Sequence, residues 1–320
     1  MEQRKTTIGG QALIEGIVMR GKNSAALAVR LPNGEIDIEE KHLTPIRQKY
    51  SVLGLPIIRG AVNFVETLIF GYQCLMESAE KSGMEDIEAE SKFDKWLEEH
   101  LGDKLMAVVG VVSAVLGVIL SLALFMYLPA FLVDMFDKYI TSGVLDAHRL
   151  HPLFEGIIKI VIFIIYMYAV SRMPDIKRVF MYHGAEHKTI FCYENNLPLT
   201  VENVRKQGRF HPRCGTSFMF VMMIISIFVS TALIVVFPGL SASRPLWVLA
   251  KLLVLPLIMG IGYEFIKYAG RHDNLFTKIC SAPGLWMQRI STVEPTDDMI
   301  EVGIAAFKRV LEMEPDCDIK

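Results

Sequence analysis

The sequence predicts a mainly α, polytopic membrane protein with about four transmembrane helices, a small N-terminal cytoplasmic β unit, and amphipathic interfacial helices. Three observations predict it. Apolar residues make up 52% of the 320 residues, and they gather into long uncharged runs instead of spreading along the chain. The first fifty residues alternate and turn as strands do. Other stretches repeat their apolar residues at helical spacing.

The runs come first. Residues 105–133 and 216–240 contain no charged side chain, and each exceeds the about 20 residues that cross a bilayer core. Residues 153–170 carry only Glu155 and Lys159, and residues 245–263 only Lys251, each near one end. There a long side chain can extend to the interface. MEQRKTTIGGQ at the N-terminus lacks the apolar core of a signal peptide, so no cleaved leader is expected. Lys and Arg set the orientation. Residues 171–215 hold Arg172, Lys177, Arg178, Lys188, Arg205, Lys206, Arg209 and Arg213; the other two loops hold Lys138 with Arg149, and Arg244. That segment and both termini are therefore expected on the cytoplasmic side of the cell membrane. A basic face there suits the lipid bilayer's anionic headgroups. The net charge of −2 gives no nucleic-acid signal. Five cysteines without a C-x-x-C pair predict no disulfide on the reducing side.

The flanking elements follow in order. Residues 1–50 form the β unit: ALIEGIVMR, AALAVRL and EIDIEEKHL are strand-like, and Asn33-Gly34 suits a hairpin turn. Such a unit is too small for its own core and must lean on another part of the chain. Residues 51–104 hold an interfacial helix and an acidic linker. In 56–77, Pro56 suits a first helical position, and Arg59, Asn63, Glu66, Gln73 and Glu77 make a polar stripe on an otherwise apolar helix. Residues 105–267 are the four-helix transmembrane domain with its His-rich loop, 171–215. Within that loop, Asp175 to Glu194 reads as a helix whose apolar face includes Ile176, Val179, Phe180, His183, His187 and Phe191. Residues 268–320 end in amphipathic helices, with Thr296 as an N-cap, Asp297 and Asp298 favourable to the helix dipole, and Ile300, Ile304, Phe307 and Leu311 as the apolar face.

Chemistry-bearing residues converge on the inner face from three distant stretches. His183, Glu186 and His187 lie on the helix after the second span. His211 and Cys214 lie just before the third. Glu264 ends the fourth, with His272 and Asp273 close behind. Two metal sites fit. In one, His183, His187, His211 and Cys214 close a tetrahedral zinc site. In the other, H-x-x-E-H supplies His183 and His187 as ligands and Glu186 as general base, with Glu264 as third ligand and an open position for water. The alternative to both is that the histidines are core residues bonded to carbonyls or carboxylates.

Five ordered segments, GGQALIEGIVMRG, YHGAEHK, HPRCGTSF, YEFIKYAGRH and PGLWMQRISTVEP, resemble the YqhQ-like family of bacterial membrane proteins across nearly the whole chain. The resemblance implies a multi-pass inner-membrane protein of Gram-positive type and a predicted metal-dependent enzyme. It also draws in Gln11, Glu15 and Arg20, with Glu15 either reaching the inner-face site or standing as an exposed strand residue.

Two functions are expected. One is a zinc-dependent hydrolase at the cytoplasmic interface acting on a lipid-linked or membrane-bound substrate. The other is an accessory protein that docks a cytoplasmic or membrane partner around a structural metal or none. Four protein ligands favour the second; three with an open pocket favour the first.

Overall fold

The strand-like residues form a four-stranded antiparallel meander in the computed structural model, which describes residues 4–83, 105–141, 147–272 and 274–318. The strands are β1 (Gly9–Leu13), β2 (Gly16–Arg20), β3 (Ser24–Arg30) and β4 (Ile36–His42). ALIEGIVMR, expected as one strand, folds back on itself: Leu13 pairs with Gly16 across Ile14 and Glu15, and Glu15 takes a φ of 49°. A two-residue link needs such left-handed backbone to match strand twist. At the expected hairpin turn, between β3 and β4, Gly34 has φ 87° and the Asn33 side chain accepts from the Glu35 N–H.

Beyond a single turn at Ile46–Lys49, the α-helices among the described residues are α1 (Ile58–Lys81), α2 (Leu105–Leu122), α3 (Leu128–Phe136), α4 (Ala147–Val170), α5 (Pro174–Glu194), α6 (Val201–Arg205), α7 (Gly215–Val236), α8 (Arg244–Arg271), α9 (Leu275–Ser291) and α10 (Asp297–Met313). Helical segments Gly110–Tyr139, His151–Val170, Gly215–Val236 and Pro245–Ala269 are long and apolar enough to cross a membrane. The chain divides into two units, Met1–Met84 with Tyr166–Met222 and Pro256–Lys320, and Glu85–Ile165 with Met223–Leu255.

In the first unit the sheet is covered on both faces, which is why β2 and β3 read as nearly unbroken apolar runs. Ile17, Met19, Ala26 and Ala28 pack with Tyr182 and Ala185 of α5 and Met299, Ile300 and Phe307 of α10. Leu13, Val18, Leu27 and Val29 pack on Cys74 of α1. Helix α10 thus spends its apolar face on the sheet. Thr296 is its N-cap, though its hydroxyl makes no capping bond. Pro56 precedes α1 instead of opening it, because Ile57 takes a φ of 71°. That residue lies against Gly260 of α8, where a Cβ would sit 2.4 Å from the Ile57 carbonyl oxygen. Four of the five stripe residues of α1 are half-buried and Gln73 is exposed: Asn63 accepts from Arg47, Glu66 from the Ile46 N–H, and Glu77 pairs with Lys41. Val65, Leu68, Ile69 and Tyr72 remain exposed, as do Leu275, Phe276, Ile279 and Trp286 of α9. Apart from its first residues, 77–83, the expected acidic stretch lies outside the described residues.

In the second unit a π-helical turn, Ala123–Tyr127, joins α2 to α3. It lies just ahead of Pro129, whose missing N–H disrupts regular i→i−4 bonding. Gly156 of α4 admits Ile227 of α7, whose Cγ1 would lie 2.2 Å from a Cβ. Lys251 was expected to extend to the interface. It is instead buried against Glu155, which also accepts from the Trp247 indole at 3.0 Å. Within apolar surroundings a paired charge costs far less than a lone one.

Candidate metal centre

Helix α5 starts where the chain dictates: Met173 is extended, Pro174 takes the first turn, and Asp175 favours the dipole. From Tyr182 onward it is almost wholly buried, so His183 and His187, one turn apart, face inward. The loop before α7 brings Cys214 to them. His183 Nε2 lies 3.2 Å from Cys214 Sγ, and the two imidazole centroids are 4.4 Å apart. One ligand atom from each of His183, His187 and Cys214 falls within 4.8 Å of the others.

Backbone carbonyls orient both rings. His183 Nδ1 is 2.8 Å from the Ser291 oxygen, and His187 Nδ1 is 2.6 Å from the Arg209 oxygen. A carbonyl only accepts, so each Nδ1 is the donor in its bond. This is how metal-ligating histidines are fixed by their outer neighbours. Cys214 Sγ accepts from the Thr216 N–H at 3.5 Å and lies 3.2 Å from its hydroxyl. Two imidazoles and a sulfur are a donor set for tetrahedral zinc.

A cavity of about 240 Å³ opens on these groups and on Glu186, Gly10 and Arg213. Glu186 receives the Gly10 N–H, yet its Oε2 is buried with no hydrogen-bond partner. Burial pushes this carboxyl above the ordinary range; His183 and the Gly10 N–H pull the other way. Gly10 permits the approach, since a Cβ there would lie 2.8 Å from Glu186 Cγ.

The other expected site residues are not in the three-residue cluster. His211 lines the same cavity and neighbours His187, with ring centroids 5.6 Å apart, but its Nδ1 accepts from the Arg213 N–H at 3.3 Å and its Nε2 is 3.5 Å from Glu194. Burial pushes it down to about 4; Glu194 opposes this, and Arg213 and His187 add to it. Glu264 is not with the cluster: both its oxygens accept from Arg59, at 2.6 and 2.5 Å. It faces α1 because it lies one turn beyond Gly260, where that helix crosses. Glu15 sits in the β1–β2 turn, gripped by Arg178 and 3.1 Å from the Tyr182 hydroxyl. His272 stacks on Tyr268 at 4.2 Å. Asp273 lies outside the described residues.

Residues not singled out as functional hold the site in shape. Gln288, fully buried, clasps the backbone of His211 through both amide atoms, at 2.7 and 2.8 Å. Lys188 ties α5 to the Arg205 carbonyl and to Glu294. Burial alone would raise Glu294, but Lys188 and Arg209 hold it below the usual carboxylate range. The PGLWMQRISTVEP segment was a visible signal; its backbone role was not.

The model of a family described as a protein of unknown function (DUF1385) matches residues 55–313. The chain is 34% identical over 317 residues to the "Uncharacterized protein YqhQ" of Bacillus subtilis (strain 168), covering 96% of this chain and 92% of that one. No solved structure matches.

Proposed function

We propose that this chain, which belongs to the DUF1385 family, is a metal-dependent membrane enzyme of hydrolase type. Zinc is held by His183, His187 and Cys214, and the substrate is lipid-linked or membrane-bound. One observation carries the reading: three ligand atoms share a cavity with an unpartnered buried carboxyl oxygen of Glu186. Three protein ligands leave a coordination position open, as catalytic zinc sites do, whereas structural sites close it with a fourth. Zinc in such a site supplies Lewis acidity and a water made acidic enough to attack near neutral pH. The chain's own part is positional. Ser291 and Arg209 aim the imidazoles, and Glu186 Oε2 takes a proton inside the cavity as general base. The exposed apolar residues of α1 and α9 rest at the headgroup level of the membrane, and the Lys and Arg excess supports the cytoplasmic side for them.

Elemental analysis of protein purified without chelator tests this. About one zinc per chain is expected in the wild type, lost in His183→Ala and Cys214→Ala and kept in His211→Ala. Loss in His211→Ala as well would mean a closed site with four ligands, and the accessory-protein reading would replace the enzyme. A wild type without metal sinks both metal readings.

A further inference from the structure

A second cavity, about 510 Å³ in volume, shares Gly10 and Arg213 with the cavity at the cluster. Arg20, Lys22, Arg47 and Arg213 line it, and none of its lining residues is a carboxylate. Arg213 is already paired with Glu194. Arg20 donates to the Thr67 hydroxyl at 3.1 Å and lies 5.4 Å from the centroid of the Phe70 ring. Arg47 reaches the Asn63 side chain at 3.4 Å. Among the described residues, neither Arg20 nor Arg47 has a carboxylate within ion-pair distance. Burial pushes the Arg20 guanidinium down; Glu66 opposes this and Arg47 adds to it.

Like charges gathered in a concave, partly desolvated wall repel one another and focus a positive field into the space between them. An anion relieves both costs. Guanidinium forks match phosphate oxygens in pairs, and the volume admits more than a bare ion. We infer that this basic cavity is a subsite for a phosphate-bearing group of the substrate, held by Arg20 and Arg47 beside the metal cluster. The inference rests on the enzyme reading only in making the bound molecule a substrate. The phosphate is carried by a lipid: α1, which lines the cavity with Thr67 and Phe70, turns Leu68, Ile69 and Tyr72 outward as an apolar track for acyl chains.

The test is calorimetry on the full chain in detergent micelles with dioctanoyl phosphatidate, dioctanoylglycerol and inorganic phosphate. Saturable phosphatidate binding is expected, with dioctanoylglycerol weaker by about tenfold or more. Arg20→Gln and Arg47→Gln should each weaken phosphatidate by about tenfold. His183→Ala should leave it unchanged, so the subsite and the metal reading fail separately. Inorganic phosphate binding as tightly, with the same arginine dependence, keeps the subsite and assigns it to a soluble phosphate ester. The inference is overturned if no probe binds, if dioctanoylglycerol binds equally, or if both arginine variants bind phosphatidate normally. Arg47 is exposed, so its variant reads out even where Arg20→Gln fails to fold.

Discussion

Gly184 sits between the two histidines of α5, and the segment after α9 passes directly over it. A Cβ there would lie 2.1 Å from the Val293 carbonyl oxygen, while the Val293 N–H donates to the Phe180 carbonyl at 2.9 Å. Moving that segment moves Ser291, whose carbonyl aims His183. Gly184→Ala is expected to cost about 1–3 kcal/mol and to lower metal retention, read by thermal melting and elemental analysis. Full metal at an unchanged melting temperature would show that Ser291 does not aim the ring. Glu314 makes a second residue-scale case. Burial would raise its carboxyl, but the Ser24 hydroxyl and the Asn23 and Lys22 N–H groups outweigh that and hold it low. A depressed folded value means stability present above the ordinary carboxylate range and lost as pH falls through the folded value. Glu314→Gln should therefore lower stability at pH 7, by no more than about 1 kcal/mol for a half-exposed group, and the difference, read by thermal melting, should vanish in acid. The histidine pair was legible because i,i+4 spacing fixes a shared helix face, and Cys214 because it stands just before a long apolar run that starts from the same side. Glu264 misled because nothing in its own stretch reveals Arg59, 205 positions earlier, as its partner. Ser291 and Arg209 were illegible because they act through carbonyls, which any residue has.

Helix α10 was readable as amphipathic, and its buried side proves broader than the expected four-residue face. Val302, Ala306 and Val310 are also buried, because sheet and α5 enclose the helix from two directions. Phe307 is fully buried, with its ring 5.0 Å from that of Tyr193. Phe307→Ala should cost about 3–5 kcal/mol, whereas Leu275→Ala on the exposed face of α9 should change micelle stability by less than about 0.5 kcal/mol. Comparable losses would mean that the α9 face is packed against protein. The sheet shows the same limit of reading from pattern alone. Alternation revealed strands but not the fold-back at Glu15, since glutamate is no turn signal and its left-handed backbone is held by Arg178 and Tyr182, far along the chain. Polar residues at helical spacing on α1 were equally visible. That all but Gln73 face protein while the apolar side stays bare could only come from tertiary contacts.

Parity constrains the whole chain. Arg4 pairs with Asp318 at 2.6 Å, and Thr6 bridges Asp318 within the same unit. Ends so paired are expected on one side of a membrane, which predicts an even number of crossings. The four long apolar helices among the described residues satisfy this; a fifth crossing by α1 would not, and that helix already lies against the sheet. Lys and Arg asymmetry then decides which side the ends occupy. Reporter fusions at both termini and a tag after Leu197, in the exposed link between α5 and α6, should all read cytoplasmic. A cysteine placed at Gly239, between α7 and α8, should react with a membrane-impermeant reagent from outside. Termini found on opposite sides would remove the four-crossing topology. All four positions inverted together would keep the topology but place the His–Cys cluster outside, where the substrate would have to be an outer-leaflet or extracellular molecule.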